Sequence, residues 1–295
     1  MLLSTPTCTY LDRFTFDEMI DIVSEAGFDA LDFTFCTEDG KPFVSKDLDR
    51  EKRISMFREF KEKALEKGIV FNQIHAPSPT TLADEEKTAE RFNEMVRGIE
   101  NAAALGAKIM VAHPCAHIPY EVGNNKEKLF EINMEVFGRL MPYCEEYGVK
   151  IAIENAYRHM NRKYARITHS ACGDPNEMVK YIETMNSEFF VGCLDTGHAM
   201  LIDEDPADFI KILGRDKLQA LHIHDVDGFD DIHTLPFVGI GDWEKIINAL
   251  REIDYQGDFT FETNSFIVNM PKELVPAASK MLVETGRYFI KQITK

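Results

Sequence analysis

Short apolar runs alternate with amphipathic stretches along nearly the whole chain. The runs are ALDFTF from Ala30, VFNQIHAP from Val70, KIMVAHP from Lys108, KIAIEN from Lys150, FFVGCLDTGH from Phe189, LQALHIHD from Leu218 and DFTFET from Asp258. A weaker candidate at Leu2 brings the number to eight. Continuous apolar character over so few residues marks a strand covered on both faces, as in a parallel sheet. Between the runs lie stretches such as FDEMIDIVSEAGF from Phe16, RISMFREFKEKALEKG from Arg53 and WEKIINALREI from Trp243. Their apolar residues recur at three- and four-residue spacing, the period of a helix with one buried face. Gly27, Gly68, Gly106, Gly148 and Gly214 close five such stretches, because glycine takes the left-handed C-terminal cap without a Cβ penalty.

One helix start is spelled out locally. Asp174-Pro175-Asn176-Glu177 predicts a side-chain acceptor at the N-cap, proline at the first helical position and a glutamate at the third to satisfy a free amide. No Pro/Gly/Ser-rich linker divides the chain. Eight β/α units therefore predict a single (β/α)8 TIM barrel, one catalytic domain over residues 1–295, since about 250 residues is typical of that fold. An open doubly wound sheet is the other arrangement of alternating strands and helices, but no Gly-rich nucleotide loop follows the first strand, so that fold would lack its usual site.

Composition narrows the class further. The 295 residues are 44% hydrophobic and 28% charged, as in an ordinary globular protein, and 50 acidic against 33 basic residues leave a formal charge of -17. Most of the acids fall in the helical stretches. That balance argues against nucleic acid as a partner, because duplex binding draws most of its strength from Lys and Arg. No run approaches the roughly 18–20 apolar residues of a membrane helix, and the N-terminus lacks a basic region followed by an apolar one. The six cysteines never form a C-x-x-C pair, so neither a disulfide framework nor a cysteine zinc site is expected. The expectation is a cytoplasmic protein in a reducing compartment, with no membrane contact; a homo-oligomer is compatible with it.

The strongest chemical signal lies at the ends of the later strands. In a parallel barrel the interior is apolar and the chemistry sits at the strands' C-terminal ends, yet His75, His113, Glu154, Asp195, His198, His222, His224 and Glu262 all fall there. Buried carboxylates meeting at one mouth would repel or stay protonated unless a cation lay between them. Glu154, Asp195, His222 and Glu262 supply three oxygens and one nitrogen, a set suited to Mn, Mg, Co or Zn with positions left for substrate. Any one histidine at a strand end is more often a structural hydrogen-bonding group. The ordered set is not readily explained that way.

IAIEN, LDTGHAM, LHIHDVDG, DDIHTLP, GIGDW and FTFET resemble, in order and spacing, the sugar isomerase/epimerase superfamily, whose xylose isomerase-like barrel is shared with endonuclease IV. The resemblance implies a metal-dependent sugar or sugar-phosphate isomerase or epimerase acting by proton transfer through an enediolate. It makes Glu154 and Glu262 the acid/base pair as well as metal ligands, with Asp195 and His222 completing the metal shell and His198 on a substrate oxygen. His222 is preferred to His224 because the family ligand stands three residues before an acidic residue, here Asp225; the same spacing from His224 reaches Asp227. The resemblance to endonuclease IV goes further. His75, His113, Glu154, Asp195, His198, His222, Asp231, His233 and Glu262 match the ligand types of its zinc cluster, so His75, His113, His198, His224, Asp231 and His233 are substrate or second-metal candidates. A multinuclear zinc phosphodiesterase and an inosose dehydratase-type lyase are the alternative activities. This sequence departs from both patterns: ENAYRHMN replaces the small Gly-containing turn of the repair enzyme, and HDVDGFDD lacks the Arg that many ketose epimerases place after the metal histidine.

The stretch from Asn155 to Gly173 has no acidic residue, and Arg158, Arg162, Lys163 and Arg166 lie in it. As a loop over the barrel mouth it is a candidate anion site for a phosphate or carboxylate on the substrate; a solvated lid without ligand is the plain alternative. Phe14, Phe35 and Tyr157 are candidates for an apolar wall beside the sugar, although core packing explains them equally well. Trp243 is expected to pack the helix it begins onto the barrel.

Overall fold

The computed structural model describes residues 1–34, 48–161 and 166–295. Its strands in chain order are β1 (Leu3–Pro6), β2 (Ala30–Phe33), β3 (Val70–His75), β4 (Ile109–Ala112), β5 (Lys150–Glu154), β6 (Tyr157–Asn161), β7 (Arg166–His169), β8 (Phe190–Asp195), β9 (Leu218–His222) and β10 (Phe259–Thr260). Eight of them form one parallel sheet in the order β10-β1-β2-β3-β4-β5-β8-β9. The ends of that sheet meet through a parallel bridge between Ile223 and Phe261, with Ile223 N donating to Thr260 O at 2.9 Å and Glu262 N to Ile223 O at 3.0 Å. The eight predicted units are thus present as a nearly closed TIM barrel. The basic stretch after β5 is not a simple loop, because β6 and β7 form a separate antiparallel hairpin there.

The large side chains pack between the strands and the outer helices, among them Phe33, Phe57, Phe71, Phe137, Phe190 and Phe259. Side chains alternate across a strand, so the barrel interior receives the other set, and this set is small. Val111, Ala152, Val191, Cys193 and Ala220 cluster on one side of the lumen. On the other side runs a polar column: Ser4 Oγ donates to Asn72 Oδ1 at 2.8 Å, Asn72 Nδ2 to Thr260 Oγ1 at 3.1 Å, and Thr260 Oγ1 to Gln73 Oε1 at 3.3 Å. Continuing each alternation one step, from Ala152 to Glu154, Cys193 to Asp195, Ala220 to His222 and Thr260 to Glu262, turns those four ionisable groups inward at one end of the barrel.

The helix caps follow the sequence with one difference, at Gly214. Asp174 caps the helix Pro175–Met185 by accepting from Asn176 N. Glu177 does satisfy a free amide, that of Cys172 at 2.9 Å rather than that of the cap residue itself, and it also accepts from Tyr120 OH at 2.8 Å. Gly214 does not end its helix but kinks it: with φ 65° and ψ 175° it interrupts the stretch Pro206–Lys217.

Candidate metal centre

β5 brings in Glu154, which is buried with its side chain only 1% exposed. Its Oε1 lies 2.8 Å from His222 Nδ1, and its Oε2 lies 2.8 Å from His113 Nε2. Asp195 ends β8 and caps the short helix Thr196–Leu201 by accepting from His198 N at 2.7 Å. Asn155 holds that corner from below: its Oδ1 accepts from Asp195 N at 2.7 Å, its Nδ2 donates to Asp195 O at 2.9 Å, and its own carbonyl lies 2.9 Å from His198 Nδ1. Glu262 follows β10, 12% exposed, with Oε2 3.6 Å from His222 Nδ1.

Candidate ligand atoms gather into overlapping cups, each with its atoms within 4.8 Å of one another. The central cup is Glu154, Asp195, His222 and Glu262; His75, His113 and Glu154 form a second; His198, His224, Asp231 and His233 form a third. All ten ligand candidates read from the sequence therefore converge on one mouth. His222 is the histidine of the central cup. His224 instead lies 2.9 Å from Asp195 Oδ1 and faces the third cup. It fits only because residue 197 is glycine, where a Cβ would stand 1.9 Å from His224 Cε1.

Hydrogen bonding sets which nitrogen is offered. A carbonyl can only accept, so His198 and His233 donate from Nδ1, to Asn155 O and Glu262 O respectively, both at 2.9 Å. Their Nε2 atoms are thereby left toward Asp231 Oδ2, at 3.4 Å and 2.9 Å. This is how histidine ligands are oriented in metal sites. Asp231 and His233 ride on the loop after β9, which Asp225 gathers. Its carboxylate accepts from Trp243 Nε1 at 2.8 Å and from the backbone amides of Val226, Phe237, Gly239 and Gly241 at 3.0–3.1 Å. Trp243 is buried and also stacks on Phe289.

The electrostatics fit a cation. Burial alone would raise the carboxyl of Glu154, but the charges of His222 and His113 hold it well below the usual range. Asp195, buried likewise, is drawn down to about 2 by His198 and His224. Asp231 is lowered against burial by His198 and His233. Conversely, burial disfavours the histidinium of His233, yet the Asp231 hydrogen bond and the Glu262 charge raise it to about 10; His198 and His222 are also raised well above the ordinary value. Raised histidines thus face lowered carboxylates across the cups, a pairing of charge that a divalent ion could replace. One buried oxygen that faces the third cup, Asp231 Oδ1, accepts no hydrogen bond from the described residues, so a cation would satisfy it. The donor set and this free oxygen fit a divalent metal.

The other sequence candidates fare differently. Tyr157 lies over the third cup, its hydroxyl donating to Asp231 Oδ2 at 3.2 Å and its ring 5.0 Å from His198. Phe14 packs at the edge of the core under Lys272. Arg158 donates to the carbonyls of Ile118 and Ala116, which ties the hairpin to the loop after β4. Phe35, Arg162 and Lys163 lie outside the described residues, as does the side chain of Arg166. Three further groups at the site are not among the sequence candidates: Asn155, Gln73 and Asp32. Asp32 had a legible signal, an acid inside the apolar run ALDFTF.

A family model described as xylose isomerase-like TIM barrel matches residues 20–285. Among curated relatives, an uncharacterised protein of Sinorhizobium fredii is 26% identical over 83% of this chain and 79% of its own length. D-psicose 3-epimerase of Enterocloster bolteae is 24% identical over 84% of this chain and 76% of its own. Probable endonuclease 4 of Staphylococcus aureus is 30% identical over 52% of this chain and 51% of its own. A solved D-tagatose 3-epimerase-like protein superposes with TM-score 0.75 at 19% identity, covering 99% of this chain and 100% of that one; the likeness is one of fold.

Proposed function

Because the chain belongs to the xylose isomerase-like TIM-barrel family, we propose that it is a divalent-metal-dependent isomerase or epimerase of a small sugar or sugar phosphate, with Glu154 and Glu262 as its acid/base pair. The central cup carries this reading: Glu154, Asp195, His222 and Glu262 converge within 4.8 Å at the C-terminal mouth of the barrel, where barrels of this type do their chemistry. The resemblance to D-psicose 3-epimerase over most of the chain supports it.

A bound divalent ion supplies Lewis-acid stabilisation of the negative charge that develops on substrate oxygens. The protein supplies the proton traffic. Glu262, the more open of the two carboxylates at 12% exposure against 1%, takes the proton from the substrate carbon. Glu154 serves the opposite side, and His113, 39% exposed and 2.8 Å from it, connects it to solvent. His198, fixed by Asn155, orients a substrate hydroxyl, and the Tyr157 ring shields the mouth beside it. Two carboxylates flanking one carbon can remove and return a proton on opposite faces. Glu154→Gln and Glu262→Gln are each expected to abolish isomerisation of ketoses, aldoses or inososes, free or phosphorylated, while sugar binding partly survives. Wild-type turnover in either variant would remove the acid/base assignment.

A second reading is favoured by the two flanking cups. Three adjacent cups, two sharing Glu154, exceed what one metal needs and suit a multinuclear zinc phosphodiesterase. Elemental analysis separates the readings: one ion per chain favours the isomerase, and two or three with cleavage of abasic-site DNA favour the phosphodiesterase. A dehydrated product from an inosose would instead identify a lyase.

A further inference from the structure

Beneath the central cup lies a carboxylate with no place in the proton transfer. Asp32, on β2, is fully buried. Its Oδ2 is 3.2 Å from His75 Nδ1, an ion-pair approach rather than a linear hydrogen bond, and 3.5 Å from His222 Nε2. The two imidazoles stack face to face above it, centroids 4.6 Å apart and planes 20° from parallel. Each ring turns its other nitrogen to the mouth: His222 Nδ1 stands 2.8 Å from Glu154 Oε1, and His75 Nε2 3.6 Å from Glu262 Oε1.

Asp32, His75 and His222 also lie close enough to form a cation cup of their own. Imidazole chemistry argues against that use. A neutral ring has one lone pair and one N–H; if His75 and His222 ligate above through His75 Nε2 and His222 Nδ1, their lower nitrogens must carry the protons, and a cation there would require two imidazolates. Protons, not a metal, belong at Asp32.

We propose that Asp32 is a positioning residue that accepts the lower N–H groups of both His75 and His222, so that one buried carboxylate selects the ligand nitrogen of two neighbouring cups. The proposal rests on the reading that these cups bind metal. A carboxylate is suited to the task because a charged acceptor both fixes the ring and raises the basicity of its far nitrogen. Gln73 borders the lower side through one atom, its Nε2, which donates to Asp32 Oδ2 at 3.1 Å and lies 2.9 Å from His222 Nε2. The third cup offers an internal contrast, since His198 and His233 are set by backbone carbonyls and owe nothing to Asp32.

The test uses the full-length protein stripped of metal and titrated with Zn2+ alone against a chromophoric chelator, with elemental analysis of the ions retained. Asp32→Asn and Asp32→Leu are expected to weaken the zinc held by His75 and His222 by roughly 10–100-fold, leaving zinc at the third cup unchanged. If these variants do not fold, long-range spectra of 15N-histidine in zinc-loaded wild type decide, with His75 expected protonated at Nδ1 and His222 at Nε2. Unchanged zinc affinity in Asp32→Asn, or the opposite tautomers in wild type, would overturn the proposal alone. Failure of wild type to bind zinc would overturn the metal reading and the proposal with it.

Discussion

Removing the carboxylate of Asp225 is expected to loosen the loop after β9 without touching any proposed ligand. Asp225→Ala leaves five donors without their acceptor: the amides of Val226, Phe237, Gly239 and Gly241, and Trp243 Nε1. Phe237 and Gly239 are exposed and water replaces the acceptor there at little cost. Val226 and Trp243 are buried, and each dry unpaired donor costs roughly 1–3 kcal/mol. The two together give about 2–6 kcal/mol, a large share of the about 5–15 kcal/mol by which a folded protein is stable. Trp243 is the only tryptophan, so its emission reports directly on the lost bond, and denaturant titration gives the free-energy change. Zinc at the third cup should weaken as well, because Asp231 and His233 ride on the same loop. A loss below about 1 kcal/mol with unchanged emission would show that Asp225 does not organise the loop.

Two other perturbations probe the same mouth. Gly197→Ala places a methyl against the His224 ring, displaces it from Asp195, and should cost about 1–3 kcal/mol as overpacking does; a variant with wild-type melting and zinc content would contradict the close approach. The metal-free protein should have its best stability in weak acid. His233, raised from 6.5 to about 10, contributes fully below pH 6.5 and loses its contribution as pH rises through about 10. Asp195, lowered from 3.8 to about 2, contributes above pH 3.8 and loses its contribution as pH falls toward 2. Zinc affinity should run the other way from stability at the alkaline side, rising with pH as the histidines shed protons. Melting curves in chelator and in zinc check both slopes, and a metal-free protein that gains stability between pH 7 and 10 would refute the histidinium pairs.

The barrel is legible in the sequence because strands buried on both faces appear as unbroken apolar runs, and ionisable residues stand out at the ends of such runs. Glu154, Asp195, His222 and Glu262 are visible for that reason. Asp32 stands inside such a run rather than at its end, 43 residues before His75 and 190 before His222, so its purpose emerges only once β2, β3 and β9 face one lumen. The hairpin of β6 and β7 is hidden for the opposite reason: YRHMN and RITH lack the alternation that a half-buried ribbon shows. Glu177 is legible as the acceptor of a free amide just ahead of its helix, but its second partner, Tyr120, lies 57 residues away and reaches it only through the fold.

The barrel's weakest joint and its chemistry coincide. β9 and β10 are joined by a single bridge at Ile223 and Phe261, whereas β5 and β8 share a four-residue register. His222 immediately precedes one side of that bridge and Glu262 immediately follows the other. An ion gripped by both would act as a clasp across the seam, completing in metal–ligand bonds the closure that the backbone leaves thin. On that view, metal content and closure of the seam would rise and fall together.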